Sequence, residues 1–203
     1  LDGAAISGPF DIVANSNLSI TNSLSHSGIL TINPAAAAAT TFLQFNQNGG
    51  TLGGTGEVVL NAAADLSTAY IETYPGAVPT THAAGHTISG TGRIHAYLAN
   101  EGLIRANQPG KTLELLTRTK TNSNLMLATS GGTLYINSIT VAQTPTGIIR
   151  ADGGFVRLRS CTVVGGTIES LNSGLATTVT GTGATLDGAA ISGPFDIVAN
   201  SNL

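Results

Sequence analysis

Charge and aromatic rings are what this sequence has least of. Asp, Glu, Lys and Arg make up 9% of its 203 residues, and Phe and Tyr 4%, with no tryptophan. A globular domain ordinarily carries about 25% charged residues. The eight Lys and Arg form no run, so the electrostatic footprint of nucleic-acid binding is missing. A single cysteine, Cys161, excludes a disulfide within the chain. No stretch nears the ~20 apolar residues of a membrane-spanning helix. Helix signals are also scarce. The alanine run at residues 35–39 follows Asn33-Pro34 and stops at Thr40, too short to hold a helix by itself.

Hydrophobic residues, by contrast, reach 41%, enough for a substantial core. Thr, Ser, Asn, Gly and Ala take the place of the missing charge. A surface wetted by hydroxyls and amides suits long-lived, β-rich extracellular material better than a cytosolic enzyme.

The strongest positive signal is a duplication. Residues 186–203 (LDGAAISGPFDIVANSNL) repeat residues 1–18 letter for letter at an offset of 185. The sequence therefore reads as one complete unit, 1–185, followed by the start of an identical next unit, 186–203. Head-to-tail identical units generate a filament, because translation along an axis does not close on itself. The junction would involve Leu1 and Phe10 and their second copies, Leu186 and Phe195.

A finer period lies inside the unit. The segments beginning at Gly102 (GLIRAN), Asn124 (NLMLAT) and Gly147 (GIIRAD) are 22 and 23 residues apart, and each leads into a similar tail at Gly110, Gly131 and Gly153. Short alternating runs separated by Gly, Asn and Ser form an all-β pattern. A period of 21–23 residues matches one coil of a parallel β-solenoid. The unit then holds about eight coils, starting near Leu1, Leu18, Phe42, Tyr70, Gly102, Asn124, Thr146 and Thr167. Eight coils at ~4.8 Å would advance the axis by about 38 Å.

Strand side chains alternate faces, so the aligned tails sort into columns. Leu113, Leu134 and Val156 are expected inward, with Leu115, Ile136 and Leu158 beside them; Glu114, Tyr135 and Arg157 are expected outward. Cys161 aligns with Ile139 and reads as a small buried hydrophobe. Ala106, Ala128 and Ala151 form a small-residue column at a corner. If Ile104, Met126 and Ile149 point inward, Leu103, Leu125 and Ile148 form an outward apolar stripe fit for lateral contact. A locally shifted register that buries the stripe is the competing expectation.

The stretch from Ile88 to Leu113 (ISGTGRIHAYLANEGLIRANQPGKTL) resembles a pattern of giant bacterial surface proteins: a G-x-G-x-I coil, then L-x-N-x-G-x-I, then a P-G turn. Gly50 to Leu60 (GTLGGTGEVVL) is a second copy of the style, and residues 18–32 a third. In these features the chain is similar to autotransporter passengers and filamentous-haemagglutinin-like adhesins. The resemblance implies a β-helical stalk outside the cell. It departs from those proteins in repeating a whole unit without a change, which favours a structural shaft over an adhesive tip.

Three patterns invite chemistry. Residues 108–112 (QPGKT) suggest a phosphate loop, but the glycine required five residues before Gly110 is Arg105. His82 and His86, with His95 nearby, are the one ligand-like cluster, whereas zinc needs three or four converging donors. Gly85, Pro75 and Pro79 place both histidines in a solvent-exposed loop, residues 74–86, that leaves an overlong coil spanning residues 70–102. Polysaccharide cleavage needs paired carboxylates or a metal with an acid cluster. Asp65, Glu72, Glu101, Glu114, Asp152 and Glu169 stand singly.

The sequence thus points to a non-enzymatic structural unit of an extracellular or cell-surface filament, needing no cofactor or metal. Its partners would be identical units head to tail, with lateral contacts through Tyr74, His82, His86 and the Leu103, Leu125, Ile148 stripe. The alternative is an adhesin shaft that binds surface polysaccharide through Tyr74, Tyr97 or Tyr135. A polysaccharide lyase or hydrolase is the third reading.

Overall fold

The computed structural model describes residues 1–46, 49–74 and 78–203. Over these residues the chain winds as a three-sided parallel β-solenoid. Every named strand pairs in parallel with the strand one coil above or below. Among the described residues each side stacks nine strands, so the chain makes nine coils.

The three sides differ in what they carry. The first, here called the amide face, rises from Ala4–Ile6 through Ser23–His26, Gly50–Gly54, Thr80–His82, Leu98–Asn100, Lys120–Asn122, Thr140–Gln143 and Cys161–Val164 to Ala184–Asp187. The second, the stripe face, includes Phe10–Ile12, Ile29–Ile32, Glu57–Asn61, Leu103–Ala106, Leu125–Thr129, Ile148–Asp152 and Thr167–Leu171, and ends at Ala190–Ser192. The third, the tyrosine face, includes Asn17–Ile20, Phe42–Phe45, Tyr70–Thr73, Thr112–Leu115, Thr133–Asn137, Phe155–Arg159 and Leu175–Thr178, and ends at Phe195–Asp196. The long strand Thr87–Ile94 bends around a corner and serves both the stripe and tyrosine faces.

The register is the one the internal repeat implies. Leu113, Leu134 and Val156 stack in one column and Leu115, Ile136 and Leu158 in the next, all fully buried. Burying each such side chain is worth about 1.5–3 kcal/mol. Glu114, Tyr135 and Arg157 stack on the outside of the same strands. Cys161 is buried, and burial pushes its thiol up to about 11. Ala106, Ala128 and Ala151 form a buried column at a corner. At Gly132, Gly154 and Gly174 the next turn crosses so close that a Cβ would collide with the backbone of Ala106, Ala128 and Ala151 respectively.

Residues 35–39 form no helix. Asn33, at φ 61°, closes a turn instead: its Oδ1 accepts from Ala37 N at 3.0 Å and its Nδ2 donates to Ala37 O at 2.9 Å. No helix among the described residues is long and apolar enough to cross a membrane.

The segment 70–102 is not one overlong coil. It carries Tyr70–Thr73, Thr80–His82, Thr87–Ile94 and Leu98–Asn100, and so includes an extra turn of the solenoid. The excursion at 74–86 shrinks accordingly, because Thr80–His82 lies in the amide face between Gly50–Gly54 and Leu98–Asn100. Pro75, Gly76 and Ala77 of the expected loop lie outside the described residues.

Candidate functional site

Part of the amide face's inner surface departs from the aliphatic pattern that dominates the other two. One inward column runs Leu24, Leu52, His82, Asn100, Asn122 and Gln143. Its polar members sit on successive coils about 4.8 Å apart, within hydrogen-bond reach of one another. Asn100 Nδ2 donates to Asn122 Oδ1 at 2.8 Å, Asn122 Nδ2 to Gln143 Oε1 at 2.9 Å, and Gln143 Nε2 to Gly165 O at 3.1 Å. Each amide also braces the next corner, through Leu125 O, Ile148 O and Thr167 O respectively.

Histidines extend the ladder downward. His82 Nδ1 lies 2.6 Å from Asn100 Oδ1, His82 Nε2 lies 2.9 Å from His86 Nδ1, and His86 Nε2 lies 2.7 Å from His26 Nε2. Backbone carbonyls can only accept, so Gly165 O orients the whole chain. Each amide then donates upward, His82 carries its proton on Nδ1, His86 on Nδ1 and His26 on Nε2. At pH 7 His82 and His86 are neutral. His26 Nδ1, at the foot, has no well-formed hydrogen bond and lies beside the Gly28 backbone, which partly offsets the lowering of His26 by burial. Burial lowers all three: His82 to about 4, His86 to about 3 with help from the neighbouring His82 and His26, and His26 in the same direction.

Two glycines make room for these rings. A Cβ on Gly56 would collide with His26 Nδ1, and one on Gly102 would lie 2.7 Å from the His82 ring. His82 and His86 therefore lie inside the solenoid, 0% and 1% exposed, and not in a solvent loop. The turn at Gly85 (φ 83°) folds the His86 ring back into the core instead of carrying it outward. Neither residue is available for lateral contact. Among the described residues no group of three or more His, Cys, Asp or Glu is placed to hold a metal ion.

A second buried base lies in the adjoining inward column. Lys120 stacks between Leu98 and Val141, fully buried, and its Nζ donates to Arg118 O at 2.6 Å and Leu116 O at 3.2 Å. Burial, with the Arg118 charge, lowers it to about 7. Its signal was present in the repeat, since Lys120 falls 21 residues before Val141 and 43 before Val163. Asn100, Asn122 and Gln143 carry the same kind of signal, at spacings of 22 and 21.

The outer surface holds the remaining candidates. Leu103, Leu125 and Ile148 stack in one outward column and are half-buried, while Ile104, Met126 and Ile149 fill the core. The register is not shifted. Arg150 pairs with Glu169 at 2.6 Å and Arg105 with Glu57 at 3.0 Å beside this stripe. On the tyrosine face Phe42 and Tyr70 stack at 5.2 Å, and Arg93 donates to Tyr70 and pairs with Glu114 at 2.8 Å. A cleft of about 340 Å³ is lined by Arg93, Glu114, Tyr135 and Arg157, with Leu66 and Val179 among its edges. Its one carboxylate, Glu114, is held by Arg93 and by Asn137 Nδ2 at 2.8 Å. Tyr74 (55% exposed) and Tyr97 (half-buried) follow the tyrosine-face strands of consecutive coils, away from Tyr135. The three tyrosines do not converge on one site.

At the ends, Leu1 and Phe10 belong to the first coil and Leu186 and Phe195 to the last. Leu1 and Phe10 are exposed at 47% and 37%, whereas Leu186 and Phe195 pack partly against the core. No protein-family model, characterised protein or solved structure matches this chain.

Proposed function

We propose that the chain is the structural repeat unit of an extracellular or cell-surface filament, built by continuation of one solenoid unit into the next. One observation carries this reading. The second copy of the 18-residue segment does not fold apart but adds the next coil, with Ile191 on Ile168 and Phe195 on Ala176. A parallel solenoid leaves strand edges open at both ends, and open edges pair with whatever strand arrives. An identical unit is the partner whose core columns match.

The low-charge, hydroxyl-rich surface is consistent with a long-lived fibre outside the cell. The Leu103, Leu125, Ile148 stripe is the proposed lateral contact between fibres. Leu125→Asp is expected to disperse bundles into single filaments in electron micrographs. Thermal stability should fall less than for a charge at the inward Met126, because Leu125 is only half-buried on the outer surface. Bundles that persist unchanged would remove the stripe from the account.

The tyrosine-face cleft favours one second reading, a shaft that retains surface polysaccharide, with Tyr135 as a stacking platform and Arg157 as a cation. The experiment that separates the two is microscopy of the native material together with retention of soluble polysaccharide. A structural fibre gives rods whose lengths are multiples of one unit, without retention or turnover of sugar. Compact particles that retain sugar, and lose it on Tyr135→Ala, would reverse the order.

A further inference from the structure

The two identical 18-residue copies occupy different sides of the solenoid. In the first copy Ala4–Ile6 lies on the amide face with Ile6 beside His26, Phe10–Ile12 on the stripe face with Phe10 beside Leu30, and Asn17–Ile20 on the tyrosine face with Leu18 beside Leu43. In the second copy Leu186, the equivalent of Leu1, lies on the amide face beside Val163. Ala190–Ser192 then falls on the stripe face and Phe195–Asp196 on the tyrosine face. Asn202, the equivalent of Asn17, has returned to the amide side, where it bridges Gly183 and its carbonyl accepts from Ala184 N at 3.0 Å. Every element of the second copy is one face further on.

The side-chain parity is unchanged. By register Ile6 and Ile191 both continue inward columns, beside His26 and Ile168, as do Phe10 and Phe195, beside Leu30 and Ala176. Phe10 and Ile191, on the end coils, remain exposed. The shift therefore moves residues around the axis without turning any strand inside out, which a one-residue slip would do. From Ile6 on the first amide-face strand to Ile191 on the ninth stripe-face strand the chain completes eight coils and one further face. Spread over the 185-residue offset, that is about 22 residues per coil, the spacing seen between the segments at Gly102, Asn124 and Gly147.

We propose that consecutive identical units are related by a screw: an advance of about 40 Å with a rotation of one third of a turn about the solenoid axis. The upper edge of one unit is thus a docking surface for a second copy turned by one face. This rests on the filament reading for its continuation beyond the second copy. Its consequence is that each unit's outward stripe and tyrosine-face cleft appear on successive sides of the fibre, and the pattern recurs after three units. A fibre so built meets lateral neighbours on three sides and not in a flat ribbon. The internal amide ladder likewise ends at Gly165 O in one unit and resumes on the next face.

The test uses nitroxide pairs on the 203-residue chain. Ala5 and Ala190 are the same residue of the repeat; Ala5 stacks beside Ser25 on the amide face and Ala190 beside Thr167 on the stripe face. Labels at A5C/S25C and, separately, at T167C/A190C are expected to give strong dipolar broadening in both pairs relative to the singly labelled chains. Cys161 is buried and stays unlabelled. Broadening in only one pair would put both copies on the same face and overturn the screw. In fibres of the Tyr74→Cys variant, gold bound at that exposed position should appear at three azimuths in turn. A single azimuth in well-formed fibres would overturn the screw while leaving the filament standing. Both pairs broadened with no fibres formed would overturn the filament and leave the one-face shift intact.

Discussion

Lowering the pH from 7 to 4 is expected to remove about 5 kcal/mol of stability, a large part of the 5–15 kcal/mol that a domain typically has. The cause is the buried imidazoles. His82 and His86 are held at about 4 and about 3, against an ordinary value near 6.5, because burial disfavours their charged forms. Their folded values lie below their unfolded ones. Their contribution is therefore fully present above about pH 6.5 and is lost as the pH falls towards the folded values. Lys120 acts in the same sense at higher pH: it contributes above about 10.4 and loses that contribution as the pH falls to about 7. Glu72, raised by burial, opposes the trend on the acid side.

Urea midpoints should thus rise continuously from pH 4 to about 9, above which the raised Cys161 thiol opposes Lys120. Most proteins instead peak between about 5 and 8. In Lys120→Met the slope between pH 7 and 10 should flatten. Independently of any variant, imidazole NMR shifts should report neutral His82 and His86 down to about pH 5. Titration of both near pH 6.5 in the folded chain would remove the buried ladder from the account.

Replacing Asn100 with alanine is the second large expected effect, a loss of about 3 kcal/mol. The truncation strands the His82 Nδ1 proton and Asn122 Oδ1 inside the core. Each buried group left without a partner costs about 1–3 kcal/mol. Asn124 supplies the control. It lies two residues past Asn122, is exposed, and donates to Glu101 O at 2.8 Å. Asn124→Ala should therefore stay within about 0.5 kcal/mol of the parent. If urea unfolding finds the two variants equal, the ladder does not set the alignment of the coils. A large gap between them fits a polar column that pairs only when each coil sits on its correct neighbour.

Where the repeat is regular, between Gly102 and Leu158, its period and the alternation of side chains were enough to assign inward and outward columns residue by residue. The segment from Tyr70 to Gly102 resisted because one corner has no turn residues between strands. Thr87–Ile94 rounds it within a single strand, using Gly90 (φ 100°), whose Cβ would collide with Leu60 O. Without a visible break, an extra turn reads as one coil with a long loop, and His82 and His86 read as loop residues.

The ladder was hidden for a different reason. Asn100, Asn122 and Gln143 repeat on the period but sit three, three and five residues before the next stripe-face strand. Gln143 stands in the column where the turn is two residues longer. Lys120 lay in plain alignment with Val141 and Val163, and only its charge argued against an inward position. The two placements of the duplicated segment have no signature in sequence, since identical letters give identical expectations.

Continuation of the solenoid through identical units is read directly from the axial power spectrum of the native material in electron cryomicroscopy. A stacked solenoid continuing through identical units predicts a meridional reflection near 4.8 Å together with a unit repeat of about 40 Å. Compact particles, or fibres whose strands run along the axis without the 4.8 Å meridional spacing, would contradict it.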